Sequence, residues 1–204
     1  RLETIRKISR PSACLINNYA SVNWMNLVIT ISGFHGTGKS TYAKRLAEEF
    51  GLRLVTAGMV FRQIASERRV SPEELSRLAM RDRRIDLLID ERTKEEAEKG
   101  SVVLDGHLAG WMAKDYADIK IFLTASIPVR AQRIANRNHI PIKEAEHQML
   151  TIERIERNRW KKLYKIDLAN QLIYDVSLNT GLLPLESVIK ILKAIVREYI
   201  QTSK

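Results

Sequence analysis

Gly33-Phe34-His35-Gly36-Thr37-Gly38-Lys39-Ser40 places Gly, four spacers and Gly-Lys-Ser between an apolar run and a stretch of helical periodicity. Glycines at such spacing let the backbone wrap around a polyphosphate and present consecutive N–H groups. A lysine at this point reaches the terminal phosphates, and the hydroxyl after it suits magnesium. The following helix adds the positive end of its dipole. The bland alternative, a Gly-rich turn between two core elements, is weakened by the flanks. Leu27-Val28-Ile29-Thr30-Ile31 reads as a buried strand, Ala43, Leu46, Ala47 and Phe50 recur at helical spacing, and Gly51 stands where a helix should stop.

Other residues could share that chemistry. Val102-Val103-Leu104-Asp105-Gly106 ends an apolar run with a carboxylate, so Ser40 and Asp105 could together hold a magnesium ion; an ordinary Asp-Gly turn is the other reading. Arg133 and Arg137 lie one helical turn apart and could both face a transferred phosphoryl group, or stand as solvated surface arginines. Along the segment from Ile142 to Tyr164, the residues Ile142, Ala145, Met149, Ile152 and Ile155 trace one helical stripe that continues to Arg159, with Arg154 and Arg157 off it. An arginine in an apolar stripe marks a break in the helix or a side chain aimed into a cleft, and the cost of an unpaired buried guanidinium favours the cleft. Glu156 could pair with Arg159 or orient a substrate group. Arg62, just after the strand end Val55-Thr56 and Gly58, could meet a second anion, or lie on the surface.

The elements that would position these residues are legible from patterning. Apolar, β-branched runs at 27–31, 53–56, 102–104, 119–123 and 172–176 alternate with helical segments. That alternation predicts an α/β three-layer sandwich: a five-stranded parallel sheet with helices on both faces and ligands at the carboxyl ends of its strands. Ser71-Pro72-Glu73-Glu74 combines an N-cap, a first-turn proline and a capping-box glutamate. Leu185, Val188, Ile189, Leu192, Ile195, Val196 and Tyr199 mark a long amphipathic helix that should cover the sheet.

The 204 residues suffice for a single domain with a full core. No run nears the roughly 18 apolar residues of a membrane span, which implies a soluble chain. Cys14 is the sole cysteine, so there is no intrachain disulfide or cysteine zinc cluster, as suits a reducing cytoplasm. The net charge of +10 fits either nucleic acid or phosphate-rich small molecules, but the arginines are mixed with Asp and Glu and form no basic tail. Residues 1–24 lack periodicity and precede Met25, which implies an upstream extension or disordered arm before one domain at 25–204. A monomer is expected, because no extra apolar stripe is visible.

Taken together, the residues 33–40, Ala57-Gly58-Met59-Val60-Phe61-Arg62, Asp105-Gly106-His107-Leu108-Ala109-Gly110-Trp111 and Trp160-Lys161-Lys162-Leu163-Tyr164-Lys165-Ile166-Asp167 resemble those of the nucleoside monophosphate kinases, most closely the short archaeal-type cytidylate kinases. The resemblance implies a P-loop fold with a monophosphate-binding segment at about 57–95 and an arginine-bearing helical lid at about 137–160. It implies transfer of the ATP γ-phosphoryl group to CMP or dCMP with Mg2+, no nucleic-acid partner and no membrane. Gly33, Phe34, His35, Gly36, Thr37, Gly38, Lys39, Ser40 and Thr41 would hold the ATP phosphates and Arg133 would stack on adenine. Arg137, Arg154, Arg157 and Arg159 would clamp phosphates as the lid shuts. Thr56, Gly58, Arg62, His107 and Arg159 would face the monophosphate. Two positions depart from the pattern: bacterial relatives have Ser at Ala57, and the family commonly has Arg at His107. Thr56 could replace the first hydroxyl, and His107 could still donate a hydrogen bond.

Other acceptors, such as AMP, UMP, shikimate or dephospho-coenzyme A, and an RNA- or ribosome-associated ATPase on the same fold are the competing readings. A GTPase is disfavoured, since there is no Asn-Lys-x-Asp motif and no glycine three residues after Asp105.

Overall fold

The computed structural model describes residues 26–79 and 82–203. The expected extension at 1–24 lies outside them. The element order is β1 (Val28–Gly33), α1 (Lys39–Phe50), β2 (Arg53–Thr56), α2 (Ala57–Glu67), α3 (Pro72–Ala79), α4 (Arg84–Glu98), β3 (Val102–Asp105), α5 (Ala109–Met112), β4 (Ile119–Thr124), α6 (Ile127–Asn138), α7 (Ile142–Tyr164), β5 (Val176–Asn179) and α8 (Leu185–Thr202). The strands form one sheet in the order β2-β3-β1-β4-β5, and every pairing is parallel. Strand order reverses on either side of β1, so the loop after β1 opens at the topological switch point, where open α/β sheets bind ligands.

Side-chain alternation on β1 explains the layering. Ile29 and Ile31 point to one face, where Tyr42, Leu46 and Phe50 of α1 and Val188, Ile189, Leu192, Val196 and Ile200 of α8 complete the larger core. Val28 points to the other face, against Ala97 of α4 and Ala109 of α5. Each fully buried aliphatic of α8 contributes roughly 1.5–3 kcal/mol, which is why a helix with no side-chain cap at its N-terminus holds its place. Ser71 caps α3 as the sequence predicts, accepting from the Glu74 N–H at 3.1 Å, and Gly51 ends α1 with φ of 62°.

Two sequence expectations need correction. The fifth strand is Val176–Asn179, not 172–176. Leu172 is 93% exposed, and Tyr174 packs against Phe122 with ring centroids 4.8 Å apart instead of pairing in the sheet. The second correction concerns α7. Ile142, Ile152 and Ile155 are exposed, whereas Ala145, Met149, Glu153 and Trp160 are buried. The helix buries the face that meets α6 and the phosphate loop, and that face carries a glutamate because a buried arginine is there to receive it.

Candidate active site

The loop between β1 and α1 can be built only with glycine at two points. Gly33 has φ of +146°, and a Cβ there would come within 2.3 Å of the Leu123 carbonyl oxygen. Gly36 has φ of +74°, and a Cβ there would meet the Arg130 backbone at 2.8 Å. No side chain caps α1, which starts after left-handed Gly38, so its N-terminus is open to an anion. Thr37 is fully buried and its hydroxyl donates to the Phe34 carbonyl at 2.8 Å.

Lys39 folds back over the loop and its Nζ donates to the same Phe34 carbonyl at 3.0 Å. Burial lowers its pKa to about 8, against the pull of Asp105 and two glutamates. Ser40 Oγ donates to Asp105 Oδ2 at 2.6 Å, and burial raises the Asp105 pKa even though Ser40 and Lys39 oppose it. The Ser40 and Asp105 oxygens therefore meet across the mouth of the loop, two hard ligands of the kind magnesium takes.

Arg130 and Glu153, which sequence reasoning passed over, support the loop from beneath. They form a buried ion pair. Glu153 Oε1 also accepts the His35 backbone N–H at 3.1 Å, while Arg130 Nη1 donates to the His35 carbonyl at 3.1 Å. One residue of the loop is thus held at both ends by a single ion pair. The His35 ring Nε2 lies 2.8 Å from Glu156 Oε2; Glu156 serves His35, not Arg159. Thr180 is the other missed residue: its hydroxyl donates to the Thr37 carbonyl at 2.9 Å. Arg133 donates to Thr180 Oγ1 at 2.9 Å and to its carbonyl at 2.7 Å.

Two adjoining cavities open from this frame. The larger, about 920 Å³, is lined by the loop, Thr56, Gly58, Arg62, Asp105, His107, Arg133 and Arg137. The smaller, about 200 Å³, shares Ala57, Asp105, Gly106 and His107 with it and continues between α2, α4 and α7. Thr56 caps α2 by accepting from the Met59 N–H at 3.0 Å. His107 Nδ1 lies 2.8 Å from the Gly33 carbonyl; a carbonyl only accepts, so Nδ1 carries the proton. Burial, then Lys39 and His35, hold its pKa well below the usual histidine range, so the ring is neutral near pH 7. Arg159 lines the smaller cavity, with Nε 3.5 Å from Asp86 Oδ2. Arg154 and Arg157 are exposed and line neither cavity; Arg157 lies 3.7 Å from Asp167.

With this geometry in view, the comparisons with known proteins are specific. Residues 28–182 match the model of the cytidylate kinase-like family. The chain belongs to that family. This cytidylate kinase-like chain is 47% identical over 166 residues to the cytidylate kinase of Ignicoccus hospitalis, covering 81% of the chain and 96% of that protein. It is 44% identical over 175 residues to the cytidylate kinase of Staphylothermus marinus, covering 86% and 99%. Among solved structures, a shikimate kinase from Bacteroides thetaiotaomicron aligns with a TM-score of 0.58 at 17% identity, over 84% of this chain and 98% of its own. At that identity the likeness shows the fold, a P-loop α/β sandwich, and nothing of the acceptor. No helix among the described residues is long and apolar enough to cross a membrane.

Proposed function

We propose that the chain is an ATP-dependent nucleoside monophosphate kinase that transfers the γ-phosphoryl group of ATP to CMP or dCMP, giving ADP and CDP or dCDP. The observation that carries this is the pair of adjoining cavities: a polyphosphate loop at one end, Arg62 across from it, and a second, smaller pocket beyond for the acceptor's base. Family membership and relatives that are cytidylate kinases support the same acceptor.

In the proposed reaction an acceptor phosphate oxygen, already ionised, forms the new P–O bond as the bond from the γ-phosphorus to the β,γ-bridging oxygen breaks. No general base is needed. Lys39 exchanges the Phe34 carbonyl for β- and γ-phosphate oxygens, and Arg133 and Arg137 neutralise charge spreading over the transferred group. Arg62 and the Gly58 backbone hold the acceptor phosphate in line. Ser40 and Asp105 are the residues that would hold Mg2+, which when bound neutralises phosphate charge. Arg154 and Arg157 stand at the outer side of α7, from which a lid movement could bring them inward.

The test is ADP formation from ATP and Mg2+ with CMP, dCMP, UMP, AMP, shikimate and dephospho-coenzyme A. Strong turnover with CMP and dCMP is expected. Turnover confined to another acceptor would overturn the acceptor assignment. ATP hydrolysis stimulated by RNA and by none of these acceptors would overturn the kinase reading altogether.

A further inference from the structure

His35, His107 and Glu156 come from three separate places, the loop after β1, the loop between β3 and α5, and helix α7, yet one donor atom from each lies within 4.8 Å of the other two. The cluster stands where the two cavities join: His35 lines the larger, Glu156 the smaller and His107 both. Water and small ions therefore have a path to it. His107 gives its Nδ1 proton to the Gly33 carbonyl at 2.8 Å, so in the neutral ring Nε2 keeps its lone pair, and no hydrogen bond among the described residues engages that atom. An imidazole whose other N–H is tied to a backbone carbonyl has its tautomer and orientation fixed for metal binding. The His35 ring lies beside it, with centroids 4.3 Å apart, and His35 Nε2 shares its proton with Glu156 Oε2 at 2.8 Å. The peptide groups of His35 are held by the buried Arg130 and Glu153 pair, so only its side chain has to adjust. A histidine–carboxylate pair alone accounts for His35 and Glu156; it leaves the open nitrogen of the second imidazole without a use.

We propose that His35, His107 and Glu156 form a binding site for a divalent transition-metal ion, with zinc the best fit. Two imidazole nitrogens and one carboxylate oxygen are a donor set that Zn2+ takes with water in the fourth position, whereas Mg2+ and Ca2+ take oxygen ligands. The site is thus distinct in its chemistry from the oxygens of Ser40 and Asp105. On binding, the ion replaces the proton between His35 Nε2 and Glu156, which passes to solvent, and each of the three donors forms one bond to the metal. Donors at zinc bond lengths stand about 3.4 Å apart in a tetrahedron, so the widest gap has to close by up to about 1.4 Å. The His35 and Glu156 side chains, 30% and 19% exposed, have room for that movement. Lys39, near enough for its charge to act on Glu156 and His107, works against the ion, which makes this a weaker site than a closed cysteine one. Once bound, the metal ties α7 to the phosphate loop.

The experiment uses the full chain, stripped with a chelator, freed of it and kept without nucleotide. Zn2+ is titrated in competition with a chromophoric chelator under excess Mg2+, and Co2+ is titrated separately and followed by its visible absorption. The expected result is one equivalent of Zn2+ that Mg2+ does not displace, a Co2+ band as intense as that of a four-coordinate ion, and a Tm higher by roughly 5–10 °C at free Zn2+ about 100 times its Kd. His35→Gln, His107→Gln and Glu156→Gln should each weaken Zn2+ binding by about 100-fold or more and abolish the rise in Tm. The melting transition of each metal-free variant shows whether it is folded, and the folded ones decide the matter. Absence of saturable Zn2+ binding by the wild-type chain would overturn the proposal, as would binding and a rise in Tm that persist in folded His35→Gln and Glu156→Gln, since the ion would then sit elsewhere. None of these readouts needs turnover, so the metal site stands or falls apart from the kinase reaction.

Discussion

Removing one partner of the Arg130 and Glu153 pair should unsettle fold and cradle together. Both side chains are buried, at 5% and 8% exposure, and neither has water to fall back on. In Glu153→Gln the guanidinium keeps its bonds to the Ala125 and His35 carbonyls but loses its counter-charge. Orphaning one member of a buried pair costs about 3–5 kcal/mol. At about 2–4 °C per kcal/mol for a chain of this size, Tm should fall by roughly 6–20 °C. Arg130→Met should cost a similar amount near neutral pH, but its deficit should shrink in acid, because a lone buried carboxyl can take up a proton and a guanidinium cannot. Replacing both, as Arg130→Met with Glu153→Leu, should recover most of the stability, since apolar pairs of similar volume often match a buried ion pair. The assay is urea denaturation of the four proteins at pH 5.5 and 7.5, closed as a double-mutant cycle. A single-variant cost below about 1 kcal/mol, or a double variant no better than the sum of the singles, would refute the argument. The restored protein should still be a poorer enzyme, with kcat/KM for ATP down by as much as about 10²-fold, because His35 has lost both grips on its peptide groups.

Three further outcomes follow from the geometry. Lys39→Met should keep the fold and lose about 10²- to 10³-fold in kcat; near-normal turnover would remove Lys39 from the reaction. Because burial lowers the Lys39 pKa to about 8, the charge that attracts ATP is present below that pH and is lost above it, so ATP affinity measured calorimetrically should weaken from pH 7 to pH 9. Asp90→Asn should raise stability at pH 7.5, since a carboxyl whose pKa is pushed up to about 6 favours the folded state below its unfolded value and loses that contribution as pH rises through about 6; the shift corresponds to at most about 3 kcal/mol, and a variant that melts lower than wild type at pH 7.5 would contradict it.

How much of this was legible in the sequence depends on whether a residue's task shows in its own neighbourhood. The loop from Gly33 to Ser40 was readable because its glycines are required by backbone geometry, which leaves a fixed spacing. The fifth strand was misplaced because Leu172, Ile173 and Tyr174 form an apolar run with another use: Tyr174 fills the space over Gly110, where a Cβ would lie 2.5 Å from its ring. The true strand, Val-Ser-Leu-Asn at the sheet edge, is half exposed and carries little apolar signal. Glu153 was missed because a search for apolar stripes discards a glutamate. Yet it stands four residues after Met149 and eight after Ala145, and a count of period alone, blind to residue type, would have placed it inward and asked for its cation. Asp86 and Arg159 come from α4 and α7, far apart in sequence, and only the fold brings them together.

The same pairing logic shows where part of the chain's net charge of +10 lies. Around the phosphate loop each carboxylate is matched: Glu153 by Arg130, Glu156 by His35, and Asp105 by the Ser40 hydroxyl. Among the described residues no carboxylate forms an ion pair with Lys39, Arg62, Arg133 or Arg137, and all four line the larger cavity. Four unmatched cations thus stand where two phosphate-bearing substrates would meet, within one recess whose low-dielectric walls focus their field. A duplex-binding surface would instead spread its cations along a face to track a phosphate backbone. Neutralising any one of the four should accordingly weaken nucleotide binding while leaving the fold's buried ion pair, and the stability it controls, untouched.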